Sequence, residues 1–166
     1  MFKKRKRNII NKIIEENLDY LFRFAFYRIG NREEAEDIVY ESILKFLEKN
    51  LMEINPGSVR LYLFRIVHNL CIDKQRTHGA CRVWIEEIDI EDETFEIHEN
   101  DDYERINTYL NKIEPREADV IRMNMIDGLS FVEISEILSI PQSTAKSRFK
   151  SGMEKLRKLF TDKRES

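Results

Sequence analysis

Between residues 141 and 164 eight Lys/Arg stand against Glu154 and Asp162, and the first of them are interleaved with hydroxyls. The mixed segment is Ser143, Thr144, Lys146, Ser147, Arg148 and Lys150. Hydroxyls and main-chain amides near a helix start suit phosphate oxygens, and Lys and Arg can reach guanine edges in the major groove. A short segment holding Ile134, Ile137 and Leu138 precedes it, joined by Ser139-Ile140-Pro141. A short helix, a tight turn and a basic helix make the helix-turn-helix plan. Duplex DNA is favoured over a solvated helix that only packs on its neighbour, because spacing, turn and charge agree.

Two further faces carry suggestive side chains. Arg65, Asn69, Asp73 and Arg76 share one side of a helix, with Tyr62 at its border. Cations and an amide beside a ring suit unpaired bases, although a merely solvated polar face is the commoner source of that pattern. Asp37, Tyr40, Glu41, Leu44 and Glu48 form another side, where two bulky apolar residues sit among acids. A basic, partly apolar partner explains that mixture better than water does. No catalytic residue emerges. The chain has no glycine loop for phosphates, no His-x-Glu or Cys-x-x-Cys pair and no nucleophile elbow. Cys71 and Cys81 share no ligand spacing with each other or with His68, His78 and His98, so neither a metal nor another cofactor is expected.

The elements that must hold these faces are helices. Ile10, Ile14, Leu18, Leu21, Ala25 and Ile29 recur every three or four residues as an amphipathic helix that stops at Gly30. Asn31 with Glu34 starts a second helix over 32–50, with Ala35, Val39, Ile43 and Phe46 inward. After a turn-rich loop over 51–58, a third runs over 58–76 on Val59, Leu63, Ile66 and Leu70. Periodicity fails from Thr77 to about Asp102, where acids accumulate around Trp84. Glu114-Pro115 opens a further helix that Gly128 closes. Ser130 and Glu133 cap the helix over 130–138. The last helix runs to about Phe160, with Ala145, Phe149, Met153, Leu156 and Phe160 inward.

Composition agrees with that reading. Of 166 residues 42% are apolar and 36% charged, while Gly and Pro number only 5 and 3. So few turn formers exclude a sandwich or barrel of many short strands. The expected class is all-α, two small helical domains joined by an acidic linker. No apolar run approaches the roughly 20 residues that span a bilayer, and the chain reads as cytoplasmic. The net charge of −3 conceals a pattern: 1–76 carries +4, 77–105 carries −9 and 106–166 carries +2. Two basic blocks around an acidic strip suggest nucleic-acid contact at both ends.

Together these motifs resemble the extracytoplasmic-function sigma factors of the sigma-70 superfamily. YLFRFAFYRIGNREEAED over 20–37, with IVYESIL over 38–44, resembles that family's polymerase-binding segment. LYLFRIVHNLCID over 61–73 resembles the segment that opens and reads the minus 10 element. The stretch over 113–156, notably IEPREADVIRMNMIDGLSFVEISEILSIPQSTAKSR, resembles domain four. The resemblance implies a basic tail over 1–12, a region 2 domain over 8–77, an acidic linker over 78–102 and a region 4 domain over 103–163. It implies that Asp37, Glu41 and their face, with Tyr40, Leu44 and Glu48, bind the clamp helices of core RNA polymerase's largest subunit. The flap of the second subunit and promoter DNA would be further partners. Tyr62, Arg65, Asn69, Asp73 and Arg76, with the loop over 53–58, would meet the unpaired minus 10 strand. Ser143, Thr144, Lys146, Ser147, Arg148 and Lys150 would meet the minus 35 duplex. An anti-sigma factor is implied as a regulator, with no direct membrane insertion of the chain itself.

The chain departs from the family pattern at four places. Tyr40 stands where Gln is usual, Pro141 where many members have Ser, and Ala145 where Val is common; the loop over 53–58 lacks an aromatic. Two other readings fit the same residues: a helix-turn-helix regulator acting without polymerase, and a sigma-like adaptor that binds polymerase without initiating.

Overall fold

The computed structural model describes residues 1–49, 53–77 and 100–165, and every regular element among them is helical. The chain forms two compact units, Met1–Ile88 and Asp89–Ser166. The stretch expected as an acidic linker, with Trp84, Cys81, His78 and His98, lies outside the described residues except where helix enters it at Asn100.

The first unit packs α1 (Phe2–Ile29), α2 (Arg32–Leu47) and α3 (Val59–Thr77) pairwise, with one 3₁₀ turn at Pro56–Ser58. Gly30 stops α1 at φ 76°, donating its N–H to the Phe26 carbonyl at 2.7 Å. A left-handed residue there is cheap only for glycine. Asn31 then caps α2, its side-chain oxygen accepting the Glu34 N–H at 3.0 Å. Phe24 lies at the centre of the core. It meets Phe64 edge-on at 5.2 Å, and the Arg28 guanidinium covers its face at 3.4 Å. Gln75 on α3 donates to the Arg28 carbonyl at 2.9 Å, and Lys74 pairs with Glu34 of α2 at 3.4 Å.

Two of the expected apolar stripes are displaced. On α1 the buried line is Ile10, Ile14, Asn17, Leu21, Phe24 and Ala25, whereas Leu18 is exposed and Ile29 half-buried. Both sit about 80–100° around the helix from Ile10, at the edge of the contact. On α3 the buried residues are Val59, Leu63, Phe64, Val67, His68 and Cys71, while Ile66 and Leu70 are half-buried. α3 touches both other helices, so its buried arc is wider than one stripe and centred on Val67. The basic residues 3–7, expected in a tail, are the opening turns of α1.

The second unit contains α4 (Asn100–Leu110), α5 (Pro115–Ile121), a π-helical turn at Arg122–Ile126, α6 (Phe131–Leu138) and α7 (Gln142–Glu165). Pro115 takes the first helical position of α5, and Gly128 ends the π-helical turn's exit at φ 68°. Leu110, Ile113, Ala118, Ile121 and Leu156 form the core. α5 and α7 approach closely at Gly152, where a Cβ would lie 2.6 Å from Ile121 Cδ1 and 3.1 Å from Glu117 Cβ. Phe160, expected inward, is 49% exposed, its ring resting on Tyr109 at 4.3 Å. One buried cation had no sequence signature. Arg122 donates to Asn107 Oδ1 at 3.0 and 2.7 Å and to Asn111 Oδ1 at 3.1 Å, tying the π-helical turn to α4. A buried charge so satisfied is tolerable, and stripped of those partners it would be costly.

Glu117, only 6% exposed, crosses from α5 to α7. It accepts from Ser151 Oγ at 2.7 Å and from Lys155 Nζ at 3.0 and 2.9 Å. Burial pushes its carboxyl up, but the Ser151 and Lys155 hydrogen bonds and the Lys155 charge push it down by more, to below its ordinary 4.5. A carboxylate lowered on folding stabilises fully above its unfolded value and loses that contribution as pH falls through the folded one. Glu117→Gln should therefore cost about 1 kcal/mol at neutral pH, a figure discounted because Lys155 is half exposed, and nothing once pH is well below 4.5. Urea unfolding of the full chain, wild type against variant, at neutral and acidic pH measures this. A difference independent of pH would mean the carboxylate charge contributes nothing.

Candidate polymerase and nucleic-acid interfaces

Each candidate face is the back of a helix whose front is buried. On α2, Ala35, Ile38, Val39, Ser42 and Phe46 face the core. A helix advances about 100° per residue, so positions 37, 40, 41, 44 and 48 fall on the opposite side. Asp37, Tyr40, Glu41, Leu44 and Glu48 are all exposed. Tyr40 is 67% and Leu44 47% exposed, and Leu47 beside them is 42% exposed. Sequence reading missed Leu47, although Tyr40, Leu44 and Leu47 keep the i, i+4, i+7 spacing that would have exposed it. Glu41 pairs with Lys45 at 3.0 Å on the surface, a contact weak enough for a partner to replace.

On α3 the side away from Val67 carries Arg65, Asn69, Asp73 and Arg76, all exposed and on one stripe. Tyr62, at its border, is half-buried, its ring 5.9 Å from Phe46 of α2. The Tyr62–Phe46 contact joins the α3 face to the inward side of the helix that bears the acidic face. The loop over 53–58 is held by Asn55, whose side chain accepts the Gly57 N–H at 3.0 Å and whose carbonyl accepts Ser58 N–H at 2.9 Å. It presents Glu53, Asn55, Gly57 and Ser58 to solvent and no aromatic side chain.

In the second unit, Ser130 and Glu133 form the reciprocal capping box expected for α6, with bonds of 2.8 and 3.2 Å. Ser139 turns the chain at φ 54°, a left-handed conformation uncommon outside glycine, and α7 follows after Pro141. Ile134 and Ile137 of α6 and Ala145 of α7 are buried where the helices meet, and Phe131 meets Phe149 edge-on at 5.4 Å. Ala145, Gly152 and Leu156 occupy the inward side of α7. Ser143, Lys146, Ser147 and Lys150 consequently form one exposed stripe, whereas half-buried Thr144 and Arg148 lie on the other side of α7, Arg148 about 60° around the helix from inward Ala145. A small residue at 145 lets α6 approach the start of α7, which leaves hydroxyls and cations on the outer side of its first turns.

Two family models match these two units in order: Sigma-70 region 2 over residues 13–81 and Sigma-70, region 4 over residues 109–158. The chain is 28% identical to the extracytoplasmic-function RNA polymerase sigma factor SigW of Bacillus subtilis, covering 96% of this chain and 93% of that relative. It is 25% identical to SigE of Mycolicibacterium smegmatis, of the same description, covering 89% of this chain and 60% of that one. The chain belongs to the extracytoplasmic-function sigma factors. It is an RNA polymerase sigma factor, a protein that directs transcription initiation.

Two solved structures share the fold of this sigma factor. CnrH, solved with the cytosolic domain of CnrY, superposes with a TM-score of 0.68 at 19% identity, covering 92% of this chain and 88% of CnrH. The sigma factor RpoE, solved with the anti-sigma factor NepR from Bartonella quintana, gives a TM-score of 0.63 at 22% identity, covering 96% of each chain. Among the described residues of the sigma factor no helix is long and apolar enough to cross a membrane.

Because Tyr40, Leu44 and Leu47 stand out from the first unit, folding should not need them. Replacing each by Ser should change unfolding free energy by no more than about 0.5 kcal/mol per site in urea denaturation. A loss of roughly 2 kcal/mol or more at any one would place that side chain in the packed interior instead.

Proposed function

We propose that this sigma factor works as a dissociable, non-catalytic initiation factor whose three outward stripes divide the labour. The α2 stripe, Asp37, Tyr40, Glu41, Leu44, Glu48 and now Leu47, docks on the clamp helices of core polymerase's largest subunit. The α3 stripe, Tyr62, Arg65, Asn69, Asp73 and Arg76, with the loop over 53–58, holds the unpaired minus 10 strand. The opening turns of α7, with Ser143, Thr144, Lys146, Ser147, Arg148 and Lys150, read the minus 35 duplex, and their unit rests on the flap of the second subunit. The observation that carries this reading is the pairing of α2 and α3 through Tyr62 and Phe46, whose rings lie 5.9 Å apart. A polymerase-binding face and a base-binding face are thereby held by one core.

The physical sequence of events follows from charge. The net charge of −3 opposes tight binding of free DNA, whose affinity rests largely on phosphate neutralisation. Docking on polymerase brings both basic blocks, 1–76 and 106–166, to one promoter and raises their effective concentration there. Binding that is stronger for the open strand than for the duplex shifts the closed-to-open equilibrium, with no covalent step in this chain. With no ring in the loop over 53–58, the unpaired strand is held by hydrogen bonds and by Tyr62 at the stripe's edge. Such a factor works in the cytoplasm. An anti-sigma factor would silence it by covering these same stripes, a reading supported by RpoE having been solved with the anti-sigma factor NepR.

Two substitutions test the division of labour. Asp37→Arg with Leu44→Ala should abolish co-elution with core polymerase while leaving the fold intact by circular dichroism. Retained assembly in the folded double variant would remove the α2 stripe from the interface. Asn69→Ala should slow opening on duplex promoters by roughly tenfold, the loss of about one hydrogen bond, and far less on pre-melted templates. Equal loss on both would make Asn69 structural.

A further inference from the structure

Among the described residues, the opening turns of α1 are a strongly charged surface that the three stripes do not use. Lys3, Lys4, Arg5, Lys6 and Arg7 are consecutive and helical, and the first acid in the chain is Glu15. Core packing begins only at Ile10, so Lys3, Lys4, Arg5 and Arg7 are exposed and Lys6 half-buried. Consecutive residues differ by about 100°, so five in a row distribute cations around the whole helix. The helix rises about 1.5 Å per residue, and duplex DNA carries one negative charge per about 1.7 Å of axis. Its cation density therefore matches that of a polyanion. The segment also sets positive charge at the positive end of its own helix dipole, a cost an opposing polyanion would relieve.

We infer that residues 3–7 form a fourth contact surface, a clamp on the phosphate backbone of promoter DNA used once the holoenzyme has formed. The inference rests on the initiation reading above. A bilayer fits the segment less well. Phe2 is 86% and Ile9 42% exposed, but both fall in the gap of about 100° between Arg5 and Lys6, leaving no apolar face clear of charge. Contacts of this kind position a protein without reading sequence, so the clamp would add affinity equally at every promoter.

The experiment uses full-length chain, wild type and a variant with Lys3, Lys4, Arg5, Lys6 and Arg7 all changed to Gln. Each is assembled with core polymerase and titrated against a promoter fragment at several salt concentrations. Wild-type promoter opening checks the initiation reading on its own. Equal co-elution and equal helical content then show that the variant is folded and docked. The variant's plot of log affinity against log salt should be shallower by roughly 2 to 4, for two to four phosphates at about 0.9 each. The proportional loss should be the same on two unrelated promoters. An unchanged slope in an assembled holoenzyme would overturn the inference. So would loss of binding to anionic lipid vesicles with promoter binding intact, which would give the segment to a membrane surface.

Discussion

A helix packed in a small bundle can bury only part of its circumference, and every surface proposed here for recognition is what remains. α2 gives Ala35, Val39 and Phe46 to the core and keeps Asp37, Tyr40 and Leu44 outside. α3 centres its buried arc on Val67 and so turns Arg65 and Asn69 outward. α7 places Ala145 and Gly152 against α6 and α5, which leaves Ser143, Lys146 and Ser147 on the far side. Core and function are thus two sides of one periodicity. Rotating any of these helices by one residue would spoil its packing and its contact surface together.

The two units solve the packing problem differently. The first relies on aromatic contact, with Phe24 between Phe64, His68 and the Arg28 guanidinium. The second has fewer large apolar residues and adds polar links from two buried charges: Arg122 to Asn107 and Asn111, and Glu117 to Ser151 and Lys155. Such links contribute little net stability but penalise misplaced partners, because an unpaired buried charge is expensive. They set the register of α5 and α7, and through α7 the orientation of the basic stripe.

Local chemistry in the sequence is a good guide to where helices begin, whereas α2 stops at Leu47 short of the expected 50 and α5 at Ile121, well before Gly128. Gly30, Asn31, Pro115, the Ser130–Glu133 box and the exposed positions of α2, α3 and α7 all follow from residue type and spacing. What could not be read is what depends on third partners. Leu18 fits the α1 period yet lies exposed, because the width of the buried arc depends on where α2 and α3 press. Arg122 looks like any surface arginine until α4 brings Asn107 to it. The π-helical turn at Arg122–Ile126 has no composition signal of its own. Phe160 keeps its heptad-like spacing but lies near the end of α7, half covered by the Tyr109 ring.

The proposed function requires this chain to convert core polymerase into an enzyme that opens a promoter. The direct measurement mixes purified chain with bacterial core polymerase and genomic promoter fragments from the same organism. Single-strand-specific chemical probing then reads unpaired bases around minus 10. The account predicts co-elution with polymerase and a protein-dependent patch of reactive bases that neither chain nor core produces alone. Co-elution without opening on a cognate promoter would make it an adaptor. Failure of the folded chain to co-elute, with tight sequence-specific binding of duplex DNA by itself, would contradict the account outright.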